Sequence, residues 1–128
     1  MNVLLLDGLV IDGLGGVVEH GGVLVEGERI AAVGRGLEGL RTPETRVIDL
    51  AGRAALPGLI DTHVHIAGGD FFPGYFDETT GLAALRMAEA AQRTLMAGIT
   101  TIRVAGSRDF LDVDLRDAVD AGDRKSVV

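Results

Sequence analysis

Apolar positions in the first third of the chain come in short bursts, broken by glycine-bearing polar steps. Residues 2–12 are apolar and bounded by the pairs Asp7-Gly8 and Asp12-Gly13, the signature of a strand with turns at its ends. A glycine-rich connection is expected over 13–22. Val23-Leu24-Val25 and Arg29-Ile30-Ala31-Ala32-Val33 flank Glu26-Gly27-Glu28, which predicts a β-hairpin with Gly27 supplying a positive φ. A polar loop over 34–44 precedes another short strand, Val47-Ile48-Asp49-Leu50. Closely spaced short strands of this kind make a small all-β layer. His20 falls in the glycine-rich connection and reads as an ordinary surface histidine.

The period then changes. An apolar run ending in Leu59 to Ile66 predicts a strand, followed by a loop over 67–80 that holds four of the five aromatic residues, Phe71, Phe72, Tyr75 and Phe76. A helix is predicted over 81–97. Asp77 and Glu78 precede it where the helix dipole favours negative charge, and Thr79 or Thr80 is available to cap its amides. Ala84, Ala88, Ala91 and Leu95 recur at helical spacing as the expected buried stripe. Met87 and Met96 read as core fillers, Glu89 and Arg93 as an outward i,i+4 pair, and Gly98 as the left-handed stop. Residues 99–104 are β-branched, as a buried parallel strand requires, and a second helix follows within 112–121. Strand, helix, strand, helix after an all-β layer gives an α/β fold class.

The chemistry concentrates in one strand. Side chains alternate along a strand, so Leu59, Asp61, His63 and His65 share one face while Ile60, Val64 and Ile66 share the other. Burying an aspartate and two histidines without partners is costly. A divalent metal resolves that cost, because neutral imidazole nitrogen is a preferred ligand. A surface-facing pair, or two histidines satisfied by backbone carbonyls, fits a bare His-x-His equally well.

The wider context separates these readings. The stretch LPGLIDTHVHI (56–66) resembles the first barrel strand of the amidohydrolase superfamily, metal-dependent hydrolases built on a (β/α)8 barrel. VLVEGERIAAVG (23–34) and VIDLAGRAALPG (47–58) resemble that family's small N-terminal β-sandwich and its entry into the barrel. AGITTIRVAG (97–106) resembles the second barrel strand of the imidazolonepropionase-like and prolidase-like subgroup. One departure is visible: the subgroup carries Arg-Asp after the paired threonines, whereas here Arg103 is followed by Val104.

The resemblance implies hydrolysis of carbon–nitrogen bonds in a cyclic amide or imide, or in a dipeptide-like substrate. It implies one or two divalent ions, zinc foremost, at the barrel mouth, with His63 and His65 as ligands. Asp61 would be an outer-shell group behind them or a structural carboxylate. The aromatics at 71, 72, 75 and 76 leave the metal strand at its catalytic end, and either wall a substrate pocket or pack the loop on the rim. Arg103, Arg108 and Asp109 lie on the second strand and its loop; Arg103 is retained as a substrate-binding candidate beside salt-bridge roles. The alternative from another class is a non-catalytic scaffold of the same fold, against which both histidines count.

Composition narrows the partners. A net charge of −7 argues against nucleic acid or an anionic membrane surface, leaving a small-molecule substrate. The absence of cysteine excludes disulfides and thiolate metal sites within these residues. The N-terminus has no cationic segment and its apolar run is too short for a secretory signal, so a cytoplasmic location is expected. Self-association through the β layer is left open. Length changes the picture most: a complete barrel needs about 250 residues, and the chain has 128. The expected organisation is a β-sandwich segment over 1–54, the first two βα units of an incomplete barrel over 55–122, and a non-native tail over 123–128 that looks like translated adapter sequence. An N-terminal fragment of this kind is expected to be inactive alone.

Overall fold

The computed structural model describes residues 1–66 and 77–122 and divides into two compact units, Met1–Pro57 and a second beginning at Gly58. It is a mixed α/β chain. In the first unit the strands are β1 (Asn2–Ile11), β2 (Val17–Glu26), β3 (Arg29–Gly34), β4 (Arg46–Asp49) and β5 (Ala54–Ala55). Together they form one five-stranded mixed sheet of order β3-β2-β1-β4, with β5 also on β1. β1 is central because it is long enough to serve three partners. It pairs antiparallel with β2 along its length, parallel with β4 through Val3 to Leu6, and parallel with β5 through Leu9 and Val10.

Between those parallel pairings the chain makes a tight turn held to β1: Leu50 N–H donates to the Leu6 carbonyl at 2.8 Å and Gly52 N–H to the Asp7 carbonyl at 2.8 Å. Gly8 permits this approach, since a Cβ there would lie 2.8 Å from the Arg53 carbonyl oxygen and overlap the Leu50 side chain. The glycine-rich connection is shorter than the sequence pattern suggests, because β2 already begins at Val17 and runs through Gly21 and Gly22. Those glycines are there for proximity rather than for a turn. A Cβ on Gly22 would meet the Leu5 carbonyl oxygen at 2.5 Å. The hairpin turn at Gly27 has its positive φ, at 61°. Leu4, Leu24 and Leu37 form the core on one face of the sheet, with Leu6 and Ala32 against them.

The second unit contains β6 (Leu59–Val64), α1 (Thr80–Met96), β7 (Ile99–Val104) and α2 (Leu111–Asp120). β6 and β7 pair parallel, as the strand–helix–strand order requires. Thr79 caps α1, its hydroxyl accepting from Leu82 N–H at 3.3 Å, and Gly98 closes the helix at φ 92°. Glu89 and Arg93 pair outward at 3.8 Å.

The buried stripe of α1 is rotated by about one residue from the expected set. Ala83 and Met87 are fully buried and Ala88 nearly so, whereas Ala84 is exposed and Leu95 is 40% exposed. The large Met87 side chain sets the contact line, joining Ala83, Ile66 and Leu111 in the core with Val64, Ile102, Val104 and Leu115 packed around them. Met96 is not a core filler, being 76% exposed. Val64 and Ile66 lie on the helix-facing side as expected, but Ile60 is 67% exposed. The register slips between Leu59 and Ile60 and again between Asp61 and Val64, so the alternation does not run unbroken along β6.

Candidate functional site

Because β6 and β7 are parallel, their C-terminal ends and the loops that follow lie on one side. His63 is near the end of β6 and His65 one residue past it. The rings stand side by side, centroids 5.5 Å apart and planes at 60°, on residues that are both exposed. Val64, between them, is committed to the helix-facing core, which turns both imidazoles the other way. Asp61 acts on the backbone of this segment: its Oδ1 accepts from the His63 main-chain N–H at 3.0 Å. A carboxylate two residues before the first histidine therefore stiffens the chain that carries the pair.

β7 supplies the adjoining wall. Ala105 N–H continues the ladder by donating to the Val64 carbonyl at 2.9 Å, which brings Gly106 beside the second histidine. His65 Nδ1 lies 3.2 Å from the Gly106 carbonyl oxygen. A side chain at 106 would meet the ring at 3.5 Å, an ordinary contact, so the position is close without being crowded. Arg103 reaches the Thr62 carbonyl on β6 with Nη1 at 3.4 Å, a long bond that ties the two strands.

Arg108 and Asp109 belong to a polar clamp. Arg108 Nη1 donates to the Glu78 carbonyl at 2.9 Å and Nε to Asp109 Oδ2 at 3.1 Å, and the Thr80 hydroxyl donates to the same carboxylate oxygen at 3.2 Å. The Glu78 carboxylate, only 6% exposed, pairs with Arg86 at 2.8 Å. These bonds bind the loop after β7 to the start of α1. The salt-bridge reading of Arg108 and Asp109 describes this network. Within it, Asp109 and Phe110 both adopt left-handed backbone, at φ 52° and 57°. Such conformations cost roughly 1–2 kcal/mol each for residues with a Cβ, and the clamp on either side holds them.

Phe110, the fifth aromatic residue, is 76% exposed on this loop. Sequence reasoning passed over it because it stands alone, outside the aromatic cluster. The Gly106 carbonyl was missed as well, for backbone acceptors leave no residue-type signal. Phe71, Phe72, Tyr75 and Phe76 lie outside the described residues.

Chemically, the arrangement offers two neighbouring imidazoles, one with a carbonyl acceptor behind it. Two nitrogens are fewer than a catalytic divalent ion requires, and among the described residues no third His, Cys, Asp or Glu joins them in a metal-sized cluster. An apolar groove of about 670 Å³ runs between α1, β7 and α2, lined in part by Leu95, Ile99, Ile102, Leu115 and Val119. It carries neither histidine.

Comparison with known proteins agrees with this geometry. The model of the amidohydrolase family matches residues 54–124. An imidazolonepropionase of Fusobacterium nucleatum is 38% identical over 104 residues, covering 78% of this chain and 25% of that protein. An enamidase of Eubacterium barkeri is 35% identical over 95 residues, covering 73% of this chain and 22% of that protein. Among solved structures, a prolidase complexed with N-methylphosphonate-L-proline matches 98% of this chain and 30% of its own, with a TM-score of 0.79 and 31% identity. A Xaa-Pro dipeptidase with methionine in its active site matches 98% of this chain and 32% of its own, with a TM-score of 0.83 and 27% identity. The chain thus spans about a quarter of the length of those two curated relatives. With the family model covering both strands of the second unit, the chain belongs to the amidohydrolase family.

Proposed function

We propose that these 128 residues are the opening portion of a metal-dependent hydrolase that cleaves carbon–nitrogen bonds in a small cyclic amide, imide or dipeptide-like substrate. The observation that carries this is the side-by-side pair His63 and His65 at the end of a parallel strand. In barrel enzymes this end of the strands carries the active site. His63 and His65 would hold a divalent ion, zinc foremost, as one or two ions. When bound, the ion acidifies a water and polarises the carbonyl under attack. The chain's own contribution is positional. Asp61 steadies the backbone at His63, the Gly106 carbonyl backs His65, and the Arg108 clamp sets the second loop, where Phe110 joins the aromatics of the first loop as a candidate pocket wall. Arg103 stays a candidate for substrate contact at the edge of this wall.

Two features support a larger fold. Parallel sheets are normally covered on both faces, yet on β6 Leu59 is 51% and Ile60 67% exposed. The groove beside β7 is the kind of apolar surface a further βα unit of a (β/α)8 barrel would cover. In the first unit, the register puts Val3, Leu5, Val25, Ile30, Val33 and Ile48 on the sheet face opposite Leu4 and Leu24. Ile30 at 67% and Val33 at 47% exposed fit a sheet that forms one half of a sandwich. Missing ligands and an open barrel make the isolated chain inactive, and the whole enzyme cytoplasmic and free to self-associate through its β layer. Among the described residues no helix is long and apolar enough to cross a membrane.

A zinc titration followed by NMR of the histidine rings tests the metal reading. His63 and His65 should respond together and ahead of His20, which is set apart on β2 beside Asp7. A response led by His20, or none at the pair, would refute the assignment.

A further inference from the structure

Which nitrogen of each imidazole faces the cation is a separate question from whether the histidines bind one, and the structure speaks to it at His65. Nδ1 of that ring lies 3.2 Å from the main-chain carbonyl of Gly106. A carbonyl oxygen only accepts, so this contact is a hydrogen bond when Nδ1 carries the proton. In a neutral ring that leaves the lone pair on Nε2. We propose that the Gly106 carbonyl is a positioning group that holds His65 as the Nδ1–H tautomer and so presents Nε2 as its ligand nitrogen.

Three observations make the carbonyl a built acceptor. Its residue follows directly on Ala105, whose N–H donates to the Val64 carbonyl at 2.9 Å, so the two strand ends are in register where the contact forms. Val64 is packed in the helix-facing core with Val104 and Ile102, which limits how His65 can rotate about its backbone. On the far side the loop is held by Arg108, whose bond to the Glu78 carbonyl at 2.9 Å stops the Gly106–Ser107 segment from drifting away. The acceptor comes from the second βα unit and the ligand from the first. Ring orientation at the metal strand therefore depends on the β6–β7 pairing before any ligand from a later strand is added, and outer acceptors of this kind commonly tune affinity.

The role of His65 as a ligand rests on the proposed function; the tautomer does not. It is read without metal, so the two ideas fail separately. The test is a long-range proton–nitrogen correlation spectrum of the nitrogen-15-labelled chain, in metal-free alkaline buffer where imidazoles are neutral. Free imidazole side chains prefer the Nε2–H form. The proposal expects that preference reversed at His65, with a protonated Nδ1 and a bare Nε2. The ordinary Nε2–H pattern at His65, from a ring that has left the carbonyl or a segment that has not folded, would overturn it.

Discussion

The two units handle their apolar surface in opposite ways. In the first, β1 is flanked on both edges and Leu4 at its centre is fully buried. In the second, β6 has β7 as its strand partner, and Leu59 and Ile60 at its start are more than half exposed. The sheet draws its order from nearby hairpins, whereas the βα pair draws its order from two helices packed on one face. Its other face holds the histidines. The lesson is that the functional end of this chain is carried by the unit that is least complete in itself.

Truncating each core is the strongest way to break that comparison. Leu4→Ala and Met87→Ala each remove a side chain with essentially no exposure; substitutions of this type cost about 2–5 kcal/mol. Hydrogen exchange should show Leu4→Ala loosening the amides of β1, β2 and β3, and Met87→Ala those of β6, α1 and β7. If each variant loosens both units equally, the division into two units is wrong as an energetic statement. Met87→Ala should also disorder the histidine pair, since Val64 and Ile66 on either side of it pack in that core.

A smaller effect isolates the strand pairing. A Cβ at Gly58 would overlap the Thr100 side chain and lie 2.7 Å from its Cβ, so Gly58→Ala forces β6 and β7 apart where they meet. Overpacking of this kind costs about 1–3 kcal/mol. Gly81→Ala is the matched control: it lies in α1 with nothing within 4 Å, and should be neutral or gain up to about 1 kcal/mol from helix propensity. Thermal unfolding separates the two. Equal loss at both positions would mean that glycine content, rather than proximity to Thr100, is what the fold requires.

Much of this was legible in the residues. Strand positions followed from clustered β-branched residues, the hairpin from Gly27, the α1 cap from Thr79 and its end from Gly98, because each rests on a local conformational preference. The His63–Val64–His65 alternation also survived, being set by one apolar residue between two polar ones. What was lost depended on partners far along the chain. Gly21 and Gly22 looked like a loop because sequence does not reveal that another strand passes within van der Waals contact. Ala84 and Leu95 looked buried because a helical stripe can be read one residue off when alanines occupy both candidate lines. The helix turns towards its largest apolar side chain, Met87. Ile60 was assigned to the core by alternation, and the register slips at β6 removed it.

The α1 cap gives a modest perturbation confined to the second unit. Thr79→Ala deletes the side-chain acceptor for Leu82 N–H and should cost about 1 kcal/mol. Because the neighbouring Glu78 and Thr80 join the Arg108 clamp, exchange at the loop after β7 should rise along with that of the first helical turn. Fraying limited to the helix would show that the clamp is anchored independently of the cap.

The smallest expected effect belongs to the first unit and depends on pH. Asp12 closes the β1–β2 turn: its Oδ1 accepts from Leu14 N–H at 2.7 Å and Gly16 N–H at 2.9 Å. Those two bonds, the first the stronger influence, hold its carboxyl below the ordinary value of 3.8. A carboxyl whose folded-state value is depressed binds protons more readily when unfolded, so its contribution to stability is full above 3.8 and fades as pH falls through the lower folded value. The side chain is solvent-exposed, so the effect is a matter of sign and window rather than of size. Carbon-13 titration of the carboxyl should place its midpoint below that of an aspartate in an unstructured peptide. Acid loosening of the turn amides should track that midpoint and vanish in Asp12→Asn, while β6 and β7 stay unchanged over the same window. Simultaneous acid loosening of the second unit would show that the turn reports global unfolding, and that the two units respond to protons as one.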